Sequence, residues 1–160
     1  MAFRILVLQG PNMNRLGRRP QQYYGSQTLA ELQSFIDERA KTLGVQVEHF
    51  QSNTEGTIID WLQERQDTSD AIIINPAGLS FNGDALRFAI QESNLPLAVV
   101  HLSNVFARDD VRKTFGPERF ADISRYYSAG FGRHGYLAAL EALVRDLSSK
   151  EKSAGANSER

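Results

Sequence analysis

Hydrophobic and polar positions follow two rhythms along this chain. "FRILVLQ" (3–9), "AIIIN" (71–75) and "LAVVHLS" (97–103) are unbroken apolar runs rich in branched residues, the pattern of strands covered on both faces. "VQVEHF" (45–50) predicts a further short strand, and "ADISRYYSAG" (121–130) a fifth. Between the runs the period lengthens to that of a helix. "TLAELQSFIDERAKTLG" (28–44) sets Leu29, Leu32, Phe35 and Ile36 on one stripe, with Thr28 and Glu31 at capping-box spacing and Gly44 as terminator. "EGTIIDWLQERQ" (55–66), with Ile58, Ile59 and Leu62 inward, "NGDALRFAIQES" (82–93) and "RHGYLAALEALVRDLSS" (133–149) complete the predicted helices. The remaining "KEKSAGANSER" (150–160) is polar and aperiodic and is expected to be a disordered tail.

Strand and helix alternate about five times. The expectation is an α/β fold with one catalytic-sized domain over 1–149: a doubly wound parallel five-stranded sheet, helices on both faces, joined by right-handed crossovers. Ligands in such folds bind beyond the carboxyl ends of the strands. The chemistry should therefore sit in "QGPNMNRLGRRPQQYYG", "QSNTEG", "INPAGLSFNG" and "HLSNVFARDDVRK".

Composition narrows the possibilities. The 160 residues carry a formal net charge of −1, so nothing pulls the whole molecule toward nucleic acid or an anionic membrane, and neither is an expected partner. Any cationic site must be local. There is no cysteine, which removes disulfides, thiolate metal sites and a cysteine nucleophile. The apolar runs are shorter than a membrane span or a signal peptide requires, and the expected location is the cytoplasm.

The loop after the first strand has neither GxGxxG nor GxxxxGK[ST], so the standard dinucleotide and P-loop readings fail. It offers the amides of Asn12 and Asn14, which can orient a water or a carbonyl, although Asn also serves tight turns. It also gathers Arg18, Arg19, Tyr23 and Tyr24. A tyrosine titrates near ~10. Beside a guanidinium its phenolate is favoured, and it can act as a general base; the plain alternative is a solvated surface loop. Asn75 ends one strand and either faces the cleft or caps the helix after it. His101 ends another, succeeded by Ser103 and Asn104, whose backbone N–H groups can hold a carboxylate. Arg108 and Arg112 come next at helical spacing, for a carboxylate, for hydroxyls, or as a solvated face. His49, His101 and His134 lack zinc-site spacing, and Ser103 lacks a nucleophile elbow. The sum is a cofactor-free, metal-free acid–base site for an anionic, oxygen-rich small molecule.

These segments, in this order, resemble the type II 3-dehydroquinate dehydratases. The matching motifs are "GPN" with "LG", Arg19 through Tyr24 and Gly25, "QSN" with Glu55, "INP", "VHLSN", "AR" with Arg112, and "GYLAAL", over about residues 3 to 145. The resemblance implies a flavodoxin-like domain, a homo-oligomer of trimers assembled into a dodecamer, a cyclic hydroxy acid as substrate, and no cofactor. It implies that Tyr24, with Arg19 favouring its ionised form, takes a proton from C2. Asn12 would hold a water that stabilises the enolate, and His101 would protonate the departing hydroxyl. Asn75 and the backbone at Leu102 and Ser103 would hold the carboxylate, Arg112 the ring hydroxyls. The loop carrying Arg19 and Tyr24 would be a mobile lid.

The chain also departs from the family pattern. Gln9 stands where asparagine is usual. Phe81 stands for a histidine, and Phe88 for an acid that reaches across from a neighbouring subunit, so the hydroxyl-binding end has become aromatic. Val99 replaces a glutamate two residues before the histidine, and Phe106 a histidine or tyrosine. "RPQ" replaces "REP". Loss of the acid beside His101 is expected to cost about 10–100-fold, by analogy with outer partners of metal ligands. Two other readings stand beside the dehydratase: a paralogue for a less hydroxylated cyclic carboxylic acid, and a non-catalytic metabolite-binding module. Joint retention of Arg19, Tyr24, Asn75, His101 and Arg112 speaks against the second.

Overall fold

Branched apolar runs become a sheet here because both of their faces are covered. The computed structural model describes residues 2–108 and 116–158. Strands β1 (Arg4–Gln9), β2 (Gln46–Gln51), β3 (Ala71–Asn75), β4 (Leu97–His101) and β5 (Tyr126–Ala129) pair in parallel in the order β2-β1-β3-β4-β5. The helices are the short α1 (Gln21–Tyr24), then α2 (Leu29–Leu43), α3 (Glu55–Gln63), α4 (Asp84–Glu92) and α5 (His134–Ser158).

Alternation along each strand sorts the core into two layers. Ile5, Val7, Ala71, Ile73, Ala98 and Val100 face α2 and α5, meeting Leu32, Ile36, Leu140 and Leu143. Leu6, Leu8, Ile72, Ile74, Leu97 and Val99 face α3 and α4, meeting Ile58, Leu62, Leu86 and Ile90. This is the α/β fold expected from the alternation of elements.

Local signals fix where α2 begins and ends. The Thr28 hydroxyl accepts from the Glu31 N–H at 3.2 Å, and the Glu31 carboxylate accepts from the Thr28 N–H at 2.7 Å. Gly44 closes the helix at φ 69°, a left-handed conformation glycine adopts without strain. Gly10 is required for a different reason. Its N–H donates to the Asn75 carbonyl at 2.8 Å, and a Cβ there would lie 2.2 Å from the Pro76 carbonyl oxygen. The ends of β1 and β3 can approach only because that atom is missing.

Several boundaries differ from the sequence expectation; β5, expected over 121–130, covers only Tyr126–Ala129. Helix α3 stops at Gln63, and β4 stops at His101, leaving Ser103 in a turn. Helix α5 passes 149 and runs to Ser158, through the segment expected to be a disordered tail. A helix already nucleated adds one bond per residue as it propagates, and Lys150, Glu151 and Lys152 favour it. Ser149 and Ser153 each bond back to the carbonyl four residues earlier, at 2.9 and 3.0 Å. Arg112 lies outside the described residues. Among those described, no helix is long and apolar enough to cross a membrane.

Candidate active site

A cavity of about 290 Å³ opens beyond the carboxyl ends of β1, β3 and β4. Its wall brings together Asn12, Arg19, Tyr24, Asn75, His101 and the Leu102–Ser103 pair, all expected from the sequence. Phe81 and Arg108 also line it. Asn14 is exposed and stands off the wall.

Two motifs distant in sequence brace one turn. Asn12 adopts the left-handed conformation (φ 67°) that its short amide side chain tolerates. Its N–H donates to the Asn53 Oδ1 at 2.8 Å. The Gln51 amide donates to that same oxygen at 3.1 Å and to the Gly10 carbonyl at 3.2 Å. "QSN" therefore holds "GPN" in shape. Ala77, across the cavity, also has a positive φ of 51°. Strain of this kind persists where surrounding contacts enforce it. The Glu55 carboxylate accepts from the Leu86 N–H at 2.9 Å, satisfying an orphan donor in the first turn of α4.

Tyr24 ends α1. The Arg19 guanidinium carbon lies 3.6 Å from the centre of its ring, a cation–π contact. The group that reaches the phenol oxygen is Arg108, whose Nη1 donates to Tyr24 Oη at 3.2 Å. Arg108 in turn lies over the Tyr23 ring at 4.0 Å. Arg19, expected to favour the ionised form of Tyr24, lies on the ring face, and Arg108 reaches the oxygen.

At the floor, Asn75 Oδ1 accepts from the Ala77 N–H at 3.2 Å, so its capping and cleft-lining roles coexist. Gln9 lies beneath, fully buried, where its Oε1 accepts from the Tyr136 hydroxyl at 2.8 Å. Burial pushes the Tyr136 phenol up, and contacts to Asn75 and Gln9 offset part of that shift. Tyr136 was not singled out in the sequence. Its signal is a tyrosine on the apolar stripe of the last helix, in "GYLAAL".

His101 is buried, and its Nε2 lies 3.8 Å from the Glu118 Oε1. The other carboxylate oxygen of Glu118 accepts from the N–H groups of Phe120 and Ala121 at 2.9 and 2.6 Å. No feature of "GPERF" marked Glu118 in advance. Of the diverged positions, Phe81 is on the cavity wall. Phe88 is not: it is 61% exposed on α4. Val99 is buried in the layer under α3 and α4. His49 and His134 lie elsewhere, paired with Asp37 at 2.8 Å and set edge-on against Phe35.

A doubly wound α/β domain with a tyrosine, a histidine, amides and guanidiniums at its strand ends belongs to the class of small-molecule acid–base enzymes. The family described as Dehydroquinase class II matches residues 3–144, and the chain belongs to it. It is 42% identical, over 91% of its length and 95% of the relative's, to a 3-dehydroquinate dehydratase of Desulforudis audaxviator. It is 39% identical, over 95% of its length and 99% of the other's, to a catabolic 3-dehydroquinase of Verticillium alfalfae. The crystal structure of a type II dehydroquinase from Propionibacterium acnes superposes with a TM-score of 0.83 at 34% identity, covering 91% of this chain and 98% of that one.

Proposed function

We propose that this cleft eliminates water from 3-dehydroquinate to give 3-dehydroshikimate. Tyr24, as tyrosinate, takes the C2 proton. The electron pair moves into the neighbouring carbonyl as an enolate, stabilised through a water held by Asn12. The enolate then collapses, the C1–O bond breaks, and His101 gives a proton to the leaving hydroxyl, so water departs. Asn75 and the backbone at Leu102 and Ser103 hold the substrate carboxylate. Arg112 is assigned the ring hydroxyls.

One arrangement carries this reading. A tyrosine with one guanidinium on its ring and another at its oxygen shares a cavity with a histidine, the Asn75 amide and the Leu102–Ser103 backbone. Negative charge on the phenol oxygen is stabilised where Arg108 donates to it. The test is the ultraviolet absorbance of the conjugated enone product, with Tyr24→Phe as the control. Turnover should fall by at least about 10²-fold in the variant, the lower end for a positioned base. Unchanged turnover removes Tyr24 as the base.

Phe81 on the wall keeps a second reading in play, a ring acid with fewer hydroxyls. The protein is further assigned a homo-oligomeric state of trimers assembled into a dodecamer; exposed Phe88 and Phe131 give apolar surface for such contacts. Sedimentation tests the assembly.

A further inference from the structure

Two titratable side chains face each other in the buried interior at the cavity, and neither facing atom has another partner among the described residues. The His101 side chain is 4% exposed and that of Glu118 1%. His101 Nε2 and Glu118 Oε1 are both buried without a hydrogen bond. Buried polar atoms left unpaired are costly and correspondingly rare. Here two of them point at one another across 3.8 Å. That gap exceeds a hydrogen bond but is too narrow for a water between them. Catalytic hydrogen bonds are commonly long before substrate arrives and tighten afterwards.

The carboxylate is held rigidly. Its other oxygen takes two backbone N–H groups, and the Phe120 ring is fully buried in the layer shared with Val99. The Arg119 N–H ties the same segment to the Ser80 carbonyl at 2.7 Å, on the cavity wall. Val99 and His101 sit two apart on β4 and share its face. The carboxylate on that face therefore comes from the 116–120 loop and not from the strand. The Tyr127 ring completes the surroundings, 5.6 Å from the imidazole. Burial first, and the Glu118 charge second, push the Tyr127 phenol up, so it stays a neutral neighbour.

We propose that Glu118 is the positioning residue of His101: its Oε1 accepts the Nε2 proton and leaves Nδ1 to protonate the leaving group. The inference rests on the dehydratase reading for its catalytic consequence. With Nε2–H fixed on the carboxylate, the ring is oriented before transfer. The neutral ring left afterwards already has its remaining proton satisfied.

The experiment has two readouts. The first is solid-state 15N NMR of histidine-labelled wild-type protein at alkaline pH, with the ring assigned through His101→Asn. His101 should be the Nε2–H tautomer; the Nδ1–H tautomer overturns the proposal. The second is Glu118→Gln. Its carbonyl oxygen can keep the two backbone donors, which turns an NH2 toward Nε2 and inverts the tautomer. We expect kcat to fall about 10–100-fold with KM within about twofold. A kcat unchanged beside an unshifted His101 spectrum overturns the proposal. Wild-type protein inactive on 3-dehydroquinate would sink the dehydratase reading instead, while the wild-type spectrum still decides whether Glu118 sets the histidine. That spectrum also stands if the variant fails to fold.

Discussion

The two faces of the sheet end differently at their carboxyl tips. On the α2–α5 face, Gln9 meets the Tyr136 hydroxyl in a closed hydrogen bond of 2.8 Å. On the α3–α4 face, His101 meets Glu118 across 3.8 Å, with both facing atoms unpaired among the described residues. Both pairs are buried, and both close a layer of aliphatic side chains. A completed bond between neutral groups fixes geometry and lies under the cavity floor. An uncompleted contact between two ionisable groups stores the capacity to move a proton, and its histidine opens onto the cavity. The difference separates architecture from chemistry among polar residues that burial alone would not distinguish.

Substitutions can break that contrast. The largest effect is expected from His101→Asn. Turnover of 3-dehydroquinate should fall about 10²–10⁴-fold, the range for a general acid, with the urea midpoint little changed. Loss of stability comparable to the loss of rate would make His101 a core residue instead. Next comes Glu118→Gln, with its smaller fall in kcat. Third is Tyr136→Phe, where the order reverses. Removing the hydroxyl strips Gln9 Oε1 of its donor, and Gln9 Nε2 already lacks a partner among the described residues. A buried group left unsatisfied costs about 1–3 kcal/mol. The urea midpoint should drop at fixed protein concentration, while kcat stays within about threefold. A large loss of kcat without loss of stability would move Tyr136 into the chemistry.

The three inner strands, β1, β3 and β4, are legible because each is covered on both faces. "AIIIN" is strand β3 as expected, and "LAVVHLS" is strand β4 as far as His101. The tips of β1, β3 and β4 then placed Asn75 and His101 at the cleft. What stayed hidden depends on how loops fold back, for which no periodicity exists. Glu118 is invisible as a partner of His101 until the "GPERF" turn is built. Val99 puts no carboxylate on the strand beside His101, and the loop brings the Glu118 carboxylate to the same face. Arg108 looked like one of two cations at helical spacing; only the folded loop shows that it, and not Arg19, touches the Tyr24 oxygen. Phe81 lies on the wall, while Phe88 is exposed on α4, where the resemblance expects a side chain that reaches a neighbouring subunit. The last helix was cut short because its polar continuation lacks an apolar stripe, although a helix extended from a packed end needs none.

The smallest expected effect sharpens the contrast from outside both pairs. Phe81 lines the cavity but belongs to neither buried pair. Replacing it with histidine puts a hydrogen-bonding group where a ring hydroxyl would lie. A neutral hydrogen bond is worth about 1 kcal/mol net, so KM for 3-dehydroquinate should fall about fivefold with kcat nearly constant. Phe88→Asp, on the exposed face of α4, should leave KM unchanged when the chain is dissociated from its copies. If Phe81→His instead raises KM, while the native protein binds a less hydroxylated ring acid more tightly than the variant does, the aromatic wall is a specificity element. The proton-transfer pair and its Glu118 support would then serve a different substrate with the same chemistry. Steady-state kinetics on the two acids, with native and variant protein side by side, separates these outcomes.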